Sequence, residues 1–453
     1  MNTKYLNFSI AAAIIISLIS CQKYLDVKPD KKLAVPSKLE DFQSLLDNYS
    51  VFAAEPNSGE MSSDDFYLTS AHYLSLSSDV DRRTYTWEKD YLFRPEDNSW
   101  REFSTAVYYC NSVIEGIEKV KRSNSNNTEW DNIKGQAYYF RGKRLLQASF
   151  IWALAYDRST SDTDLGLPLR LNINFNEPSV RSSVERTYQQ ILNDLKVSIH
   201  LLPLIPLSKV RASKPAAYAM VARAYLSMQD YNNAVLYADS CLRLYHTLLD
   251  YNSLNSASPL PIDRFNREVI SENQISVGQI LNLARAKVNP ELLALYDNEN
   301  DLRKAILFKD NGDGTAGYKA RFTEGASLFA GTAVNEVYLT RAECYARAGK
   351  LSEAMKDLNT LLVARWRAGT FVPFTASSKE EALSIILKER RKELLFRDIR
   401  WMDIKRLNKE GAEILLMRNV NNKEYKLLPN DLRYALPIPE DVISISGMEQ
   451  NKR

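Results

Sequence analysis

Acidic and basic residues alternate at helical spacing between positions 389 and 406, near the end of the chain. Intervals of three and four residues bring such side chains together on one face of a helix. The charged members of this face are Glu389, Glu393, Arg397, Arg400, Asp403 and Arg406. A cluster of this kind could form an active site, but Leu394, Leu395 and Trp401 add apolar contacts around it. We therefore interpret it as a partly buried ion-pair network that holds the last helices against the rest of the fold.

The sequence offers little else that could support catalysis. Its histidines, His72, His200 and His246, have no partner at the spacing of a zinc site or of a histidine-dependent triad. It contains no phosphate-binding glycine loop and no G-x-S-x-G turn of the serine hydrolases. Asp64 and Asp65 are the first candidates for a pair of hydrolytic carboxylates, although adjacent side chains usually point apart. The sequence therefore predicts no catalytic residue, no metal and no cofactor.

The elements that position these residues are predicted to be helices. The predicted helical segments are about 132–156 with 187–203, 215–247, 334–365 and 378–408. Two of them repeat each other at an offset of 120 residues, since Ala222 aligns with Ala342 and Tyr225 with Tyr345. Small and aromatic residues at this spacing let paired helices approach closely and stack on the next pair, as in tetratricopeptide repeats. We therefore predict a mainly α fold with a tetratricopeptide-like helical-repeat scaffold.

Three segments lack a helical period: 50–100, 157–186 and 251–331. The last of them contains a turn rich in Asp and Gly at 310–314. A calcium loop is excluded there because Lys309 and Ala320 occupy its first and twelfth positions, where carboxylates are required. We expect a hairpin turn at this point, and an irregular, loop-rich lobe formed by these segments.

Composition limits the partners of the protein. The 453 residues are 45% apolar and 25% charged, which are ordinary values for a globular protein with a large core. The formal net charge is only +3, and acids and bases are interleaved along the chain. Because phosphate binding requires a basic stripe or face, we expect no nucleic-acid partner.

The first residues predict the compartment. Lys4 precedes an apolar stretch that ends in Leu18-Ile19-Ser20-Cys21. A small residue before a cysteine, with leucine three positions before it, is the pattern that lipoprotein signal peptidase cleaves. We therefore predict a signal peptide at 1–20, lipid attachment at Cys21, a tether at 21–38 and a folded domain at 39–453. The alternative is an ordinary secretory signal in which the cysteine occurs by chance.

The run at 389–406 also resembles the SusD/RagB family pattern E-R-x-x-E-L-x-x-E-G-x-R-W-x-D-L-x-R. Most positions match, but Arg397 and Asp398 stand where the family has Glu-Gly. The P-I-P of the family is present at 437–439. Residues similar to its W…Y…N helix are Trp100, Tyr108 and Asn111. Together with the lipoprotein signal and the helical repeats, the resemblance extends over essentially the whole mature chain.

The resemblance implies a lipid-anchored lipoprotein of the outer membrane, exposed at the cell surface, that binds a nutrient. Its ligand would be an oligosaccharide or, as in some members, a peptide. Its partner would be a SusC-like TonB-dependent transporter. Two other functions stay open: a tetratricopeptide lipoprotein of envelope assembly, and a surface glycoside hydrolase. The long insertions and the R-W-x-D and P-I-P segments disfavour the first, and the lack of a strand-rich catalytic domain disfavours the second.

The motifs that carry the resemblance are structural and do not locate the ligand. Sugar rings are held by aromatic faces and by planar polar side chains. The irregular segment before the helices supplies both kinds of residue, and our candidates are Asp64, Asp65, Tyr67, Tyr73, Trp87 and Tyr91. We predict that Trp87 or Tyr73 stacks on a sugar ring. Asp64 or Asp65 would orient the sugar hydroxyls, and the 251–331 insertion is the next place to look.

Overall fold

The computed structural model describes residues 36–95, 97–296 and 299–453, so the predicted signal peptide, Cys21 and most of the tether lie outside it. The helices are α1 (Leu39–Leu46), α2 (Tyr49–Phe52), α3 (Ser58–Ser62), α4 (Ser70–Leu74), α5 (Asp79–Tyr85), α6 (Ser99–Ile117), α7 (Asn127–Trp152), α8 (Val184–Leu201), α9 (Lys214–Ser227), α10 (Tyr231–Leu244), α11 (Pro290–Leu293), α12 (Arg303–Leu307), α13 (Val334–Arg347), α14 (Leu351–Val363), α15 (Lys379–Glu393), α16 (Arg400–Lys409) and α17 (Glu440–Ser446). In the described part of the chain, no helix is both long and apolar enough to cross a membrane.

The longer helices form a stack in which each packs on the next. The order of contact is α6, α7, α8, α9, α10, α13 and α14, with α15 against α13. Almost every residue of α9 is buried because this helix contacts α8, α10 and α13. The mainly α, tetratricopeptide-like fold predicted from the sequence is therefore confirmed.

The two predicted repeats are equivalent down to their internal turns. The pairs α9–α10 and α13–α14 begin 120 residues apart, as the sequence alignment predicted. Gln229 (φ +61°) and Gly349 (φ +74°) both adopt the left-handed conformation that lets the chain reverse after the first helix of each pair. The backbone N–H of the following residue, Asp230 or Lys350, then donates to a carbonyl of that helix at 2.9 Å in both turns.

Close packing of α7 on α8 depends on two glycines. A Cβ atom added at Gly142 would lie 2.9 Å from the Cγ of Leu195. A Cβ atom at Gly135 would lie 2.9 Å from the Cβ of Leu201. Carbon atoms at that distance overlap, so larger residues at these positions would push the two helices apart.

The segments 50–100 and 251–331 fold together into a lobe with short strands and its own core, whereas 157–186, which was expected in the same lobe, packs on α7 and α8. The strands of the chain are β1 (Ala54–Glu55), β2 (Phe66–Tyr67), β3 (Leu165–Pro168), β4 (Arg181–Ser183), β5 (Val269–Ser271), β6 (Gln274–Ile275), β7 (Lys287–Val288), β8 (Phe308–Asp310), β9 (Ala316–Tyr318), β10 (Leu328–Phe329), β11 (Thr332–Ala333), β12 (Leu416–Val420) and β13 (Lys423–Leu427). Strand β6 of the insertion pairs in parallel with β1 and antiparallel with β10. The lobe core includes Phe66, Tyr85, Val269, Ile275, Tyr296, Phe308, Tyr318, Phe329 and Phe396.

The turn at 310–314 joins β8 to β9, which pair antiparallel. Gly312 (φ +78°) and Gly314 (φ +79°) are both left-handed, as a tight hairpin requires. The carboxylates of Asp310 and Asp313 accept the backbone N–H groups of Gly312 and Thr315, so they serve the turn itself. The predicted hairpin is therefore confirmed.

Candidate functional site

The charged run at 389–406 is not a continuous helix, so part of its predicted geometry is wrong. Helix α15 ends at Glu393 and α16 begins at Arg400. Between them, Phe396 (φ +54°) and Asp398 (φ +57°) adopt the left-handed conformation and redirect the chain. Asp398 replaces the glycine of the family pattern, and glycine adopts this conformation freely. Arg397 is thereby removed from the helix face on which the sequence placed it.

Arg397 anchors the α15–α16 connection in the lobe core without forming an ion pair. Its guanidinium group lies 4.7 Å from the ring centre of Phe322 and 4.3 Å from that of Phe329. None of its three nitrogens has a hydrogen-bond partner among the described residues. Burial lowers the pKa of Arg397 from its usual value. Aromatic faces attract a desolvated cation, so the two rings stabilise this charge in place of a carboxylate.

The predicted ion-pair network is confirmed, and it is fully buried. Arg365, which follows α14, donates to Glu268 of the insertion at 2.6 Å and to Glu393 of α15 at 2.8 and 2.9 Å. Arg303 of α12 donates to Glu389 at 2.6 Å. None of these side chains is more than 5% exposed. The network joins the lobe to the last scaffold helices, which is a structural role.

A second group of buried charges joins α15, α16 and α13. The carboxylate of Asp403 accepts the Nε–H groups of Arg390 and Arg406, both at 2.8 Å. Arg406 also donates to both oxygens of Glu343, at 2.6 and 2.8 Å. Burial opposes the charge of Asp403, but Arg390 and Arg406 outweigh it and hold the pKa of the carboxyl below its usual value.

Removing this carboxylate should weaken the fold and spare ligand binding. We expect Asp403→Ala to lower the free energy of unfolding by about 3–5 kcal/mol, because two buried guanidinium groups lose their partner. Thermal unfolding measures the loss, and calorimetry at a temperature where the variant is folded measures ligand affinity. Unchanged melting combined with lost binding would contradict the structural role and make this cluster the binding site.

Asp64 and Asp65 lie against the α15–α16 region. The oxygens of Asp64 accept hydrogen bonds from Arg400 at 2.6 and 2.9 Å and from Arg391 at 2.9 Å. Although burial opposes ionisation, Arg400 and then Arg391 lower the pKa of Asp64 to about 2. Asp65 is 1% exposed, and burial together with the charge of Asp64 raises its pKa to about 6. Arginines engage both oxygens of Asp64, and Asp65 is buried, so this arrangement does not support the prediction that either carboxylate orients a sugar.

The predicted aromatic residues are distributed between the lobe core and its surface. Trp87 is 1% exposed, its indole N–H donates to the carbonyl of Ser62 at 3.0 Å, and Arg418 covers its ring at 4.5 Å. The prediction that Trp87 stacks on a sugar is therefore wrong. Tyr67 and Tyr73 are half-buried beside the lobe core. Only Tyr91, at 61% exposure, presents an open ring among the four aromatic candidates.

The structure instead shows a cleft where the segment before the helices meets the insertion. This lobe cleft has a volume of about 420 Å³. The residues that line its polar side include Asn57, Asp81, Arg94, Asn98, Glu102 and Gln279. Two contacts across it fix the walls: Asn57 donates to the carbonyl of Ser276 at 2.8 Å, and Gln279 donates to Ser77 at 2.7 Å. In the described ranges, none of the six predicted ligand residues lines this cleft.

The free charges of the lobe cleft are mainly acidic. Asp81 of α5 is 17% exposed, and its nearest cation is Arg94, at 4.0 Å. Burial raises the pKa of Asp81, and Arg94 opposes this change. Glu102 adds an exposed carboxylate and Asp97 adds one that is paired with Arg101 at 3.4 Å, whereas Glu55 is neutralised by Lys143 and Arg144 at 2.6 Å. Such a surface offers hydrogen-bond acceptors to hydroxyl groups and repels anionic ligands.

The lobe cleft lies mainly in the segments that the sequence singled out, but residues other than the predicted ones line it. Asp81 and Arg94 lie in the 50–100 segment, and Gln279 lies in the 251–331 insertion that was named as the next place to look. Their common wall is formed by the pairing of β1 with β6, which joins residues about 220 positions apart, such as Ala54 and Gln274. No local pattern in the sequence signals a pairing of two-residue strands.

Two sequence models of one family match the chain. Residues 23–226 match a SusD-like model described as starch-binding and associating with the outer membrane. Residues 334–452 match the model of the SusD family. Together these two matches cover most of the chain, including the C-terminal run that carries the resemblance. No protein of curated function matches the chain in sequence.

Solved structures show the same fold. A SusD superfamily protein from Bacteroides thetaiotaomicron is 22% identical, with 92% of this chain and 100% of that chain covered and a TM-score of 0.72. A SusD-like carbohydrate binding protein from Bacteroides vulgatus is 19% identical, with 91% and 97% covered and a TM-score of 0.69. A SusD superfamily protein from Bacteroides fragilis is 19% identical, with 91% and 99% covered and a TM-score of 0.74. The sequence models and the shared fold together show that this chain belongs to the SusD/RagB family.

Proposed function

We propose that this protein is a surface lipoprotein of the outer membrane that binds an oligosaccharide in the lobe cleft and delivers it to a SusC-like TonB-dependent transporter. The observation that carries the proposal is the cleft itself, a polar pocket between two irregular segments on a rigid helical stack. Ligand sites are concave and present a few convergent polar groups. The carbohydrate-binding relative and the starch-binding family model support a sugar as the ligand.

The charge of the cleft favours a neutral sugar over an anionic one. Asp81, Asp97 and Glu102 line the cleft with Arg94, and Asp97 is also paired with Arg101, at 3.4 Å. Hydroxyl groups donate to carboxylates and accept from guanidinium and amide N–H groups, so this set can hold several hydroxyls of one ring. A uronic acid or a sulfated sugar would bring a further negative charge beside these carboxylates, of which Asp81 is largely buried, and this is unfavourable.

Replacing the half-buried carboxylate of the cleft should weaken sugar binding. Asp81→Asn keeps the shape of the side chain and removes the charge that strengthens its hydrogen bond to a hydroxyl. We expect a loss of roughly 1.5–3 kcal/mol in binding free energy, or about 10- to 150-fold in affinity. Calorimetry of the full chain in detergent with maltoheptaose and a panel of neutral oligosaccharides measures this change.

Asp79→Asn is the matched control, because Asp79 lies on the same helix at 76% exposure and does not line the cleft. It should bind as the parent does. Equal affinities of the parent and Asp81→Asn would place the site elsewhere. Hydrolysis of the oligosaccharides during the titration would show that the protein is a glycoside hydrolase. If it binds none of them, the alternative of a lipoprotein that binds only other proteins would be favoured.

The proposed membrane attachment and transporter partner are supported by the sequence and by the family, and not by the lobe cleft. The lipoprotein signal that ends at Cys21 supports attachment through lipid, and the matched family model describes proteins associated with the outer membrane. The SusC-like partner follows from membership of the family. Purification of the tagged chain from its own outer membrane, followed by identification of the co-purifying barrel protein, tests the partnership.

A further inference from the structure

A second pocket, which shares helix α6 with the lobe cleft, lies between α6, the loop after β3 and the C-terminal helix α17. Its volume is about 230 Å³. We call it the aromatic pocket, and its apolar walls are Trp100, Phe103, Tyr108, Phe175, Val442 and Met448. Trp100 and Phe103 form its buried floor, at 6% and 3% exposure.

The outer wall of the aromatic pocket is an aromatic ring held in solvent. Phe175 is 77% exposed, although burying such a ring would stabilise the protein by about 1.5–3 kcal/mol. Its ring centre lies 4.9 Å from that of Tyr108, and the planes are inclined by 35°. At this distance and angle the two rings lie partly against each other, so Tyr108 supports one side of Phe175 and the other side stays open to the surroundings.

The loop that carries Phe175 is fixed by hydrogen bonds to α6. The amide of Asn111 donates to the carbonyls of Arg170 and Asn172, at 2.9 and 3.2 Å. The backbone N–H of Ile173 donates to Glu115 at 2.9 Å. Asn111 is itself held by Arg141, which donates to it at 2.8 Å. The loop that carries the exposed ring is thus connected to helix α7 through Asn111 and Arg141.

The loop also closes on itself. The Arg170 guanidinium donates to the carbonyl of Glu177 at 2.6 Å and to the hydroxyl of Ser179 at 3.2 Å. Asn172 accepts the backbone N–H of Asn174 at 2.9 Å and donates to the carboxylate of Glu177. An aromatic side chain on so constrained a loop loses little freedom when it contacts a ligand, which favours binding.

We propose that the aromatic pocket is a second sugar-binding site, in which Phe175, supported by Tyr108, stacks on one neutral sugar ring. The inference rests on the proposed function, because it adds a second point of contact for the same class of ligand. Aromatic faces bind the C–H face of a pyranose, and polar groups at the edge bind its hydroxyls. Ser104, Asn172 and Ser179 line the same pocket and supply that edge.

The size and the charge of the aromatic pocket favour a sugar over a protein segment. Its volume suits one ring rather than a helix or strand. The terminal nitrogens of Arg170 donate to the loop, so this cation is not free to attract an anion. Ser104, Asn172 and Ser179 line the pocket together with Phe175, although exposed apolar side chains such as Ile173 and Val180 belong to the same loop. A long oligosaccharide could use both sites, or two short ones could occupy them separately.

The test is calorimetry of the full chain in detergent with maltoheptaose and the same panel of neutral oligosaccharides. The parent should show two sites for short oligosaccharides. Phe175→Ala should weaken one of them at least about tenfold and leave the other, which depends on Asp81, unchanged. Phe175→Tyr keeps a stacking face and should bind as the parent does. Because Phe175 is exposed, neither variant should lose its fold, and melting temperatures check this.

Val372→Ala is the control for removal of an exposed apolar side chain, since Val372 is 75% exposed and does not line the pocket. Equal stoichiometry and affinity in the parent and Phe175→Ala would overturn this inference and leave the lobe cleft intact. Unchanged sugar binding with lost co-purification of the transporter would show a protein interface instead. If the parent binds no oligosaccharide, the proposed function fails as well.

Discussion

Replacing Arg365 with alanine should lower the free energy of unfolding by about 3–5 kcal/mol, among the largest losses expected from one substitution in this chain. The Arg365 side chain is fully buried and donates to Glu268, Glu393 and the carbonyl of Leu249. Its removal leaves two buried carboxylates facing each other without a shared cation. Equilibrium unfolding in urea, followed by circular dichroism, measures the loss.

An exposed pair provides the contrast. Arg122 is 49% exposed and donates to Asp131 at 2.7 and 2.9 Å, a geometry as good as that of Arg365. Because water and salt screen this pair, Arg122→Ala should change the free energy of unfolding by less than about 1 kcal/mol. Equal losses in the two variants would mean that burial does not determine the strength of these ion pairs.

The effect of Arg365→Ala should depend on pH. Burial opposes the charge of Glu393, but Arg365 and then Arg303 lower its pKa from 4.5. A carboxyl whose pKa is lowered by folding stabilises the protein fully when the pH is above the pKa of the unfolded chain. This stabilisation is lost as the pH falls through the lower pKa of the folded protein. In the Arg365→Ala variant, burial again outweighs the remaining attraction on Glu393. The stabilisation that the Arg365–Glu393 pair provides is therefore absent at every pH. The difference in stability between parent and variant should therefore shrink as the pH falls below about 4.5.

The scaffold could be predicted from the sequence because its signals are local. Helix packing explains the spacing shared by Ala222 and Tyr225 with Ala342 and Tyr345. The two helix pairs confirm the predicted repeat, including equivalent left-handed turns at Gln229 and Gly349. That the charged run forms buried ion pairs was also predictable, but most partners lie outside it, such as Arg303 and Arg365. Arg397 was misplaced because two left-handed residues, Phe396 and Asp398, break the helix at a position that the family gives to glycine.

The residues that line the lobe cleft could not be predicted because their placement depends on contacts distant in sequence. The segment before the helices lacks a period, which suggested that its aromatic rings were free for a ligand. The structure shows instead that Phe66 and Tyr85 pack with the insertion in the lobe core, that Trp87 packs in the core of the helical scaffold, and that Arg418 lies over all three rings. An aperiodic segment can be as fully packed as a helix when its partner lies 200 residues away.

The exposed ring of the aromatic pocket could not be predicted from the sequence either. Phe175 lies in a polar loop and has no helical or strand neighbour that would mark it as special. Its exposure follows from the hydrogen bonds that Asn111 makes to the carbonyls of Arg170 and Asn172. Asn111 belongs to the W…Y…N resemblance, so the sequence named a residue that fixes this loop without revealing what the loop presents.

Loss of the outer-membrane anchor is the second large effect that we expect. Cys21→Ser should abolish labelling by radioactive palmitate and remove the protein from the outer-membrane fraction of cells that lack the transporter. Each acyl methylene buried in the membrane contributes about 0.8 kcal/mol, so several acyl chains can hold the protein there. No helix in the described part of the chain could do so by crossing the membrane. The transporter is omitted because it could retain an unlipidated protein.

Two comparisons make this result specific to lipid. Ser20→Ala keeps a small residue before the cysteine, so it should be labelled and fractionate as the parent does. The outer membrane is the fraction to score because an uncleaved signal could hold Cys21→Ser at the inner membrane, which density separation distinguishes. If Cys21→Ser stays in the outer membrane without label and without the transporter, lipid is not the anchor. A protein surface would then have to attach the chain, and the exposed residues beside Phe175, including Ile173 and Ile445, would be the first to test.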